Sequence, residues 1–405
     1  MGESSDLRAI VVDSDAGMEA LAPAWWDLLA RCKDAQPAQT PLWLLTWWRI
    51  FGGSGKRQPR VVVIESKREV LGIFPLLRRW VRRAGVVPVA TLEWMGSGEP
   101  PEDEIFSEYL GPVAAEGHER DVAYRFVRAL CSGDLGRWDE LLLPAMNEAD
   151  PMVTLLREAL SARGAKVDVR RTHDCPYVVL PSSWDAYMAR LDSHDRRLIR
   201  RTLRDLDAWA KPGRPVLRVA EDEAGMRRGW EILKGLHAER WGGKGVFESA
   251  PYCRFHEAVM PEMLRGSGGK LELMWLEIQG EPVAAAYDIV FRGNVQFYQS
   301  GRKMDVPRGV RPGAALQVLA LQRAIESGYR SYDFGAQASL YKQQLAFGEP
   351  RRLVTLSAVA PTLSARATDD VRRTARSLFR LGKDIAGKLR PARAQAVHVE
   401  APLRS

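Results

Sequence analysis

The 405-residue sequence has few residues of the kind that bind metals or form disulfides. Its four cysteines lie far apart without a Cys-x-x-Cys pair, at Cys32, Cys131, Cys175 and Cys253. This spacing argues against a zinc site and against a disulfide framework, and it suits a reducing compartment. The six histidines are scattered as well, so we expect no metal site.

Long apolar runs are also missing. The N-terminal residues MGESSDLRAI contain no apolar core of the kind that marks a signal peptide. The longest apolar stretch, near Leu42–Phe51, is short and is interrupted by Arg49, so no membrane span is predicted. We therefore expect a cytoplasmic protein.

A strong excess of charge is absent from most of the chain, although the net charge is +8. Residues 361–405 hold ten Lys or Arg and four Asp or Glu, a net charge of +6, which leaves +2 for residues 1–360. A nearly neutral body argues against nucleic acid as a partner.

What the sequence does contain is one pattern that occurs twice. Val61–Glu65 and Val70–Leu77 flank a polar turn and predict a β-hairpin, and so do Met274–Ile278 and Pro282–Val290. Each hairpin is followed by a helical pattern and then a short strand, first at 120–143 and later at 314–335. This order indicates two copies of one α/β module, with a chance match of two common arrangements as the alternative.

Two further helical patterns lie outside the hairpins. Residues 182–210 alternate apolar positions with five arginines, which suit either a solvated face or contacts to phosphate groups: Arg196, Arg197, Arg200, Arg201 and Arg204. After Pro361, apolar residues recur every three or four positions opposite a basic face, which predicts an amphipathic helix that ends at Pro391. Such a tail could dock on a partner, lie on an anionic membrane or pack on the body.

The most informative stretch joins a strand, a loop and a helix. Asn294–Gly301 predicts a strand, Arg302–Gly313 a loop rich in Gly, Pro and basic residues, and Ala314 lies where a helix begins. Unpaired N–H groups at a helix N-terminus favour a bound pyrophosphate. An ordinary strand–loop–helix unit without a ligand has the same pattern.

Several segments together carry a family resemblance: Leu236–Phe247 (LHAERWGGKGVF), Val295–Gly301 (VQFYQSG), Arg311–Leu316 (RPGAAL), Tyr332–Gly348 (YDFGAQASLYKQQLAFG) and the arginine-rich Asp195–Leu206. They resemble the GNAT-type acetyltransferase domain associated with cellulose and exopolysaccharide biosynthesis. That group is related to the FemAB-like aminoacyltransferases.

The resemblance implies an α/β (α+β) protein with two tandem GNAT-like modules. Each module is expected to hold a mixed, mostly antiparallel sheet flanked by helices. The expected boundaries are 9–180 for the N-terminal module, 181–359 for the C-terminal acyltransferase module and 360–405 for the basic helical tail.

The resemblance also implies that acetyl-CoA or another acyl-CoA binds to the second module. The pantetheine arm is expected along one splayed strand and the pyrophosphate at the following loop, where the family's phosphate-binding pattern is partly present. The residues concerned are Tyr298, Gln299 and Ser300 on the strand, and Arg311, Gly313 and Ala314 at the loop.

Four residues are candidates for the chemistry of acyl transfer. Asp333 could act as the base or cap a turn, and Tyr341 could donate a proton or lie in the core. Lys342 could bind an acidic substrate or the thioester oxygen, or be solvated. His237 is a catalytic candidate whose alternative is a structural role, and Arg240, Trp241 and Lys244 near it suit a sugar or an acidic group of the acceptor.

We therefore expect transfer of an acyl group from acyl-CoA to an amine, on a small molecule or a glycan, in polysaccharide or cell-envelope synthesis. Two alternatives stay open. One is an aminoacyltransferase that takes its acyl group from aminoacyl-tRNA, and the other is a non-catalytic scaffold of a polysaccharide synthase. In the second case the tail would bind the synthase or a membrane surface.

Overall fold

The computed structural model describes residues 7–53, 56–67, 69–83, 87–336, 340–367 and 369–370. Most of the predicted tail helix, from residue 371 onward, lies outside the described residues. None of the described helices has the length and apolar composition that a membrane span requires.

The first half of the chain forms the following elements: β1 (Arg8–Val12), α1 (Asp15–Arg31), α2 (Pro41–Phe51), β2 (Gln58–Pro59), β3 (Val61–Glu65), β4 (Val70–Phe74), β5 (Leu76–Arg83), β6 (Val87–Trp94), β7 (Val113–Ala114), α3 (Glu119–Ser132), β8 (Glu140–Asn147), α4 (Pro151–Ala162) and β9 (Lys166–Cys175). Short 3-10 turns at Pro37–Gln39 and Pro101–Asp103 interrupt the loops.

The second half continues with β10 (Tyr177–Val179), α5 (Trp184–Arg190), α6 (Ser193–Ala210), β11 (Val216–Val219), α7 (Glu223–Trp241), α8 (Ala250–Leu264), β12 (Lys270–Ile278), β13 (Glu281–Phe291), β14 (Asn294–Arg302), α9 (Pro312–Glu326), β15 (Ser331–Asp333), α10 (Leu340–Leu345) and β16 (Arg351–Val359). Both predicted hairpins are confirmed, as β3–β4 and β12–β13. The predicted helices and strands that follow them are also present.

The strands form mixed, mostly antiparallel sheets flanked by helices, as predicted. In the first half a four-stranded sheet has the order β1-β3-β4-β7, and a six-stranded sheet has the order β2-β5-β6-β8-β16-β9. The second half forms a six-stranded sheet of order β10-β15-β14-β13-β12-β11. The pairs β6–β8 and β14–β15 are parallel, and the other described pairs are antiparallel.

Each six-stranded sheet takes one strand from the residue range that was predicted for the other module. β10 follows β9 after a single proline but pairs with β15 in the second sheet, where Tyr177 lies opposite Asp333. β16, near the end of the described chain, inserts between β8 and β9 in the first sheet. We call this arrangement the strand exchange. Residues 351–359, which sequence analysis grouped with the second module, thus complete the sheet of the first.

A shared apolar core joins the two halves as well. Trp43 on α2 packs edge-on against Phe255 on α8 at 4.7 Å between ring centroids, and against Tyr298 on β14 at 5.8 Å. Trp43 and Phe255 belong to one continuous cluster of buried residues from both halves, and the half-buried Tyr298 packs against it. Burial of aromatic side chains on this scale holds two modules in one arrangement.

The exchanged strand β16 can be tested by truncating one of its core side chains. Leu356 is fully buried and lies opposite Leu143 and Val169 on its two neighbours. We expect Leu356→Ala to lower the free energy of unfolding by about 2–5 kcal/mol, because it leaves a cavity in the first sheet. Chemical denaturation measures this loss.

The matched control is Thr355→Ala, one residue earlier on the opposite, half-exposed face of β16. We expect it to cost less than about 1 kcal/mol. Equal effects of the two substitutions would show that β16 is not inserted into the first core.

Candidate active site

The candidate site lies where two neighbouring strands of the second sheet separate. β14 and β15 pair over only three residues each, from Asn294 to Gln296 and from Ser331 to Asp333. Beyond Gln296, β14 continues to Arg302 with β13 as its remaining partner. After Asp333 the chain turns at Gly335, whose φ is +70°. A gap therefore opens between the two strands.

A cavity of about 360 Å³ fills this gap. Its volume is within the range of small-molecule sites in proteins. Residues 297–300 of β14 form one wall and residues 334–336 the other, and the end of α7 with the following loop covers it. Phe106 and Glu108 enter from the first module, so both halves of the chain build this cavity.

Glu108 brings a carboxylate into the cavity. Its Oε1 accepts a hydrogen bond of 2.7 Å from the N–H of Ala336, and its Oε2 accepts a longer one of 3.4 Å from Gln296. Gly335 permits this approach, because a Cβ atom there would lie 3.2 Å from a Glu108 oxygen. Burial, followed by the charge of Asp333, raises the pKa of Glu108 to about 7.

Lys342 supplies a cation to the same cavity. Its Nζ donates hydrogen bonds to the carbonyls of Phe334 at 2.6 Å and Ala336 at 3.1 Å, and it lies 5.0 Å from the centroid of the Phe297 ring. The side chain is buried, so this lysine is not a solvated one. Burial lowers the pKa of Lys342, whereas the carboxylate of Glu108 raises it.

The segment that carries Glu108 is held at both ends. The N–H of Ile105 donates to Glu99 Oε1 at 2.8 Å, and its carbonyl accepts the hydroxyl of Tyr298. Phe106 and Tyr109, on either side of Glu108, have φ of +51° and +61°. Left-handed conformations of non-glycine residues are costly and persist only where surrounding contacts enforce them.

Asp333 does not line this cavity but lies at the junction of the two modules. Its carboxylate accepts hydrogen bonds from the Tyr109 hydroxyl at 2.7 Å, from Arg351 at 3.0 Å and from the N–H of Gly335 at 2.8 Å. Burial raises the pKa of Asp333, while Arg351 and Tyr109 lower it. Arg351 is the first residue of β16, so this ion pair joins the end of β15 to the exchanged strand.

His237 lines the cavity and is a buried residue, with 3% of its surface exposed. The following loop packs closely on it, because a Cβ atom at Gly245 would lie 2.1 Å from the ring. Burial, followed by the charge of Arg240, lowers the pKa of His237 to about 4. The ring is therefore neutral near pH 7 and is not a cation there.

The N-terminus of α9 is open. Arg311 at the N-cap position makes no side-chain capping bond, and the first turn contains no acidic residue. Every other described helix of eight residues or more has a capping side chain or an acid in its first turn. The N–H groups of Gly313 and Ala314 thus keep the partial positive charge that attracts anions.

The cavity brings together most of the residues predicted from sequence: His237, Arg240, Trp241, Lys244, Tyr298, Gln299, Ser300, Tyr341 and Lys342. Arg311 and Ala314 line a smaller neighbouring pocket that Tyr341 also lines, and Gly313 is in the first turn of α9. Their roles stay predictions. Among the described residues, no group of three His, Cys, Asp or Glu side chains could hold a metal ion.

Sequence analysis missed Glu108. It lies in a loop without periodicity, and its partner Ala336 is 228 positions away. The available signal is local: Glu108 is a single acid in the otherwise apolar or uncharged run Ile105–Leu110 (IFSEYL). An acid in such a run is expected to be buried with a shifted pKa.

Comparison with known proteins finds one family match, in the second half of the chain. Residues 193–343 match the family model described as an acetyltransferase (GNAT) domain. This part of the chain is therefore similar to a GNAT acetyltransferase domain. No curated protein sequence matches the chain significantly.

Three solved structures share the fold over nearly their whole length. FemX has a TM-score of 0.54 at 12% identity, with 87% of this chain and 98% of that chain covered. A conserved protein of unknown function from Bacteroides thetaiotaomicron has a TM-score of 0.51 at 10% identity, with 87% and 100% covered. The C-terminal domain of a protein named as a lysylphosphatidylglycerol synthetase from Agrobacterium fabrum has a TM-score of 0.50 at 12% identity, with 89% of this chain and 96% of that chain covered. At these identities the likeness concerns the fold alone.

The protonation of the buried histidines gives a test of the site. We expect the His237 ring to titrate near pH 4, and that of the fully buried His256 near pH 3, in an NMR titration of the imidazole protons. An unfolded histidine takes up its proton at about pH 6.5. At these two residues the unfolded state therefore binds more protons below that pH, and their contribution to stability falls as the pH falls from about 6.5 towards 4.

The variant His237→Gln removes one resonance and so assigns it. If the resonance that disappears titrates near pH 6.5 in the unsubstituted protein, then the ring is solvated and the loop at Gly245 does not cover it.

Proposed function

We propose that the protein transfers an acyl group from an acyl-CoA thioester to an amine, with the donor bound to the second module. The observation that carries this proposal is the gap between β14 and β15, filled by a cavity and followed along the chain by the open N-terminus of α9. A long, narrow thioester with a pyrophosphate at one end fits such an arrangement.

The phosphate end of the donor is proposed to bind at α9. The N–H groups of Gly313 and Ala314 would receive the pyrophosphate. The side chains of Arg302, Arg308 and Arg311 form no hydrogen bond or ion pair with the described residues, so their charge is available to phosphate oxygens. Arg302 also packs over Gly313, at 3.1 Å from the position that a Cβ atom would take there.

The pantetheine arm is proposed to run along β14 past Tyr298, Gln299 and Ser300. These residues line the cavity on the side where β14 has lost its partner β15. The thioester would then lie between the wall of β14 and the turn at Gly335. The hydroxyl of Tyr341, which lines both the cavity and the pocket at α9, is proposed to protonate the departing sulfur.

The acceptor is proposed to enter from the side of α7. Arg240 is 3.5 Å from the Ser300 hydroxyl and lies over the ring of Trp241, which is 52% exposed. Lys244 follows on the loop that covers His237. An aromatic face with two cations suits a sugar ring or an acidic group that carries the amine, as in an amino sugar or an amino acid of polysaccharide or envelope synthesis.

The donor proposal is tested by calorimetric titration of the full chain with acetyl-CoA. We expect saturable binding, and an affinity about tenfold weaker in Arg311→Ala, since a charge-assisted contact to phosphate contributes about 1.4 kcal/mol or more. The control is Arg254→Ala, an exposed arginine on α8, which removes the same charge and should leave the affinity unchanged.

Other outcomes separate the alternatives. If no CoA ester binds and charged tRNA binds with an affinity that falls steeply with salt, the donor is aminoacyl-tRNA and the acyl-CoA proposal is wrong. If neither binds, the GNAT-like modules act as a scaffold, and the tail beyond residue 370 would be the segment that docks on a synthase or a membrane surface.

A further inference from the structure

Acyl transfer to an amine needs a group that removes a proton, because an ammonium nitrogen has no lone pair with which to attack a carbonyl carbon. Among the described residues that line the cavity, Glu108 is the one carboxylate. Asp333 is close by, but Tyr109, Arg351 and Gly335 occupy its oxygens.

The carboxylate of Glu108 has capacity for a further hydrogen bond. Oε1 accepts the short bond from the N–H of Ala336, whereas the single contact of Oε2, to Gln296, is 3.4 Å long. A carboxylate offers about four lone-pair directions, so Oε2 can accept an N–H of an acceptor.

The loop fixes where this oxygen points. Glu99 and Tyr298 hold the two backbone polar groups of Ile105, and Trp43 donates to the Ser107 hydroxyl at 2.9 Å. Three hydrogen bonds therefore hold the segment just before Glu108, two to the backbone of Ile105 and one to the side chain of Ser107. A general base needs this kind of fixed position, because proton transfer depends on a short donor–acceptor distance.

Charges around Glu108 come from several elements. Asp333 on β15 raises its pKa, Lys342 on α10 and the hydrogen bonds from β14 and Ala336 lower it, and burial is the largest cause of the rise. Cys175 on β9 and Tyr109 both have raised pKa values and are neutral near pH 7. The result is a carboxyl group with a pKa of about 7, at which both protonation states are populated near neutral pH.

We propose that Glu108 is the catalytic base of the acyl transfer, supplied to the second module's site by the first module. Glu108 takes one proton from the acceptor ammonium, and the neutral amine nitrogen then bonds to the thioester carbonyl carbon. The C–S bond breaks with its electron pair on sulfur, which takes the proton of the Tyr341 hydroxyl, and the surplus proton on nitrogen restores that hydroxyl. The products are an amide and a thiol, and Glu108 returns its proton to water.

This assignment rests on the proposed function, and the experiment keeps the two apart. Acetyl-CoA affinity is measured by calorimetry, and thiol release from acetyl-CoA with saturating glycinamide, a small primary amine, is followed between pH 6 and 9. Glu108→Gln keeps an oxygen for the N–H of Ala336. We expect unchanged affinity and a rate lower by about 100-fold, the usual contribution of a general base.

The pH profile distinguishes a base from a structural residue. For the unsubstituted protein we expect the rate to rise with pH through about 7, as Glu108 loses its proton. The amine also loses protons as the pH rises, but that effect remains in Glu108→Gln while the step near pH 7 disappears. Glu108→Asp keeps a carboxylate one methylene further back and should retain the step at a reduced rate.

The control is Glu102→Gln, an exposed acid on the preceding 3-10 turn, which should leave rate and pH profile unchanged. Glu108→Gln with at least a third of the normal rate, or with the same step near pH 7, would overturn the assignment. Acetyl-CoA binding without any amine-dependent thiol release would also overturn the assignment of Glu108, but it would leave the donor proposal intact. Absence of acetyl-CoA binding in the unsubstituted protein would instead refute the proposed function.

Discussion

The positions of the two modules depend on the strand exchange and on the ion pair that accompanies it. β15 ends at Asp333 and β16 begins at Arg351, and these two side chains meet at 3.0 Å with Tyr109 of the first module on the same carboxylate. A buried charge without its partner is strongly destabilising. The contact therefore fixes the turn after β15 against the loop of the first module, and that juxtaposition creates the cavity.

The charged groups around the cavity shift one another's pKa values. Asp333 pairs with Arg351. Lys342 lowers the pKa of Glu108 and donates to the carbonyl of Ala336, whose N–H donates to Glu108. Two carboxyl groups in one apolar region would otherwise both take up protons. Asp333 therefore forms an ion pair with Arg351, while Glu108 has a pKa of about 7 and populates both protonation states at neutral pH.

The local sequence pattern was sufficient to predict the helices and strands, but not how they assemble. Hairpin turns and helical spacing predicted β3–β4, β12–β13 and α9, because those structures depend on neighbours within a few residues. The place of β16 between β8 and β9 depends on partners more than 170 positions away, which periodicity does not encode. Glu108 was missed for the same reason, and the pairing of Asp333 with Arg351 was not predicted because it is a tertiary contact.

β8 and β9 are neighbours along the chain, yet in the sheet they touch only through β16. During synthesis on the ribosome, the N-terminal part of a chain usually folds before the rest has been made. Here β16 is not available until residue 359 has emerged, so β8 and β9 lack this partner while residues 180–350 are being synthesised. The first sheet is therefore completed only after most of the second module has been synthesised, and until then the edges of β8 and β9 are open to pairing with other chains.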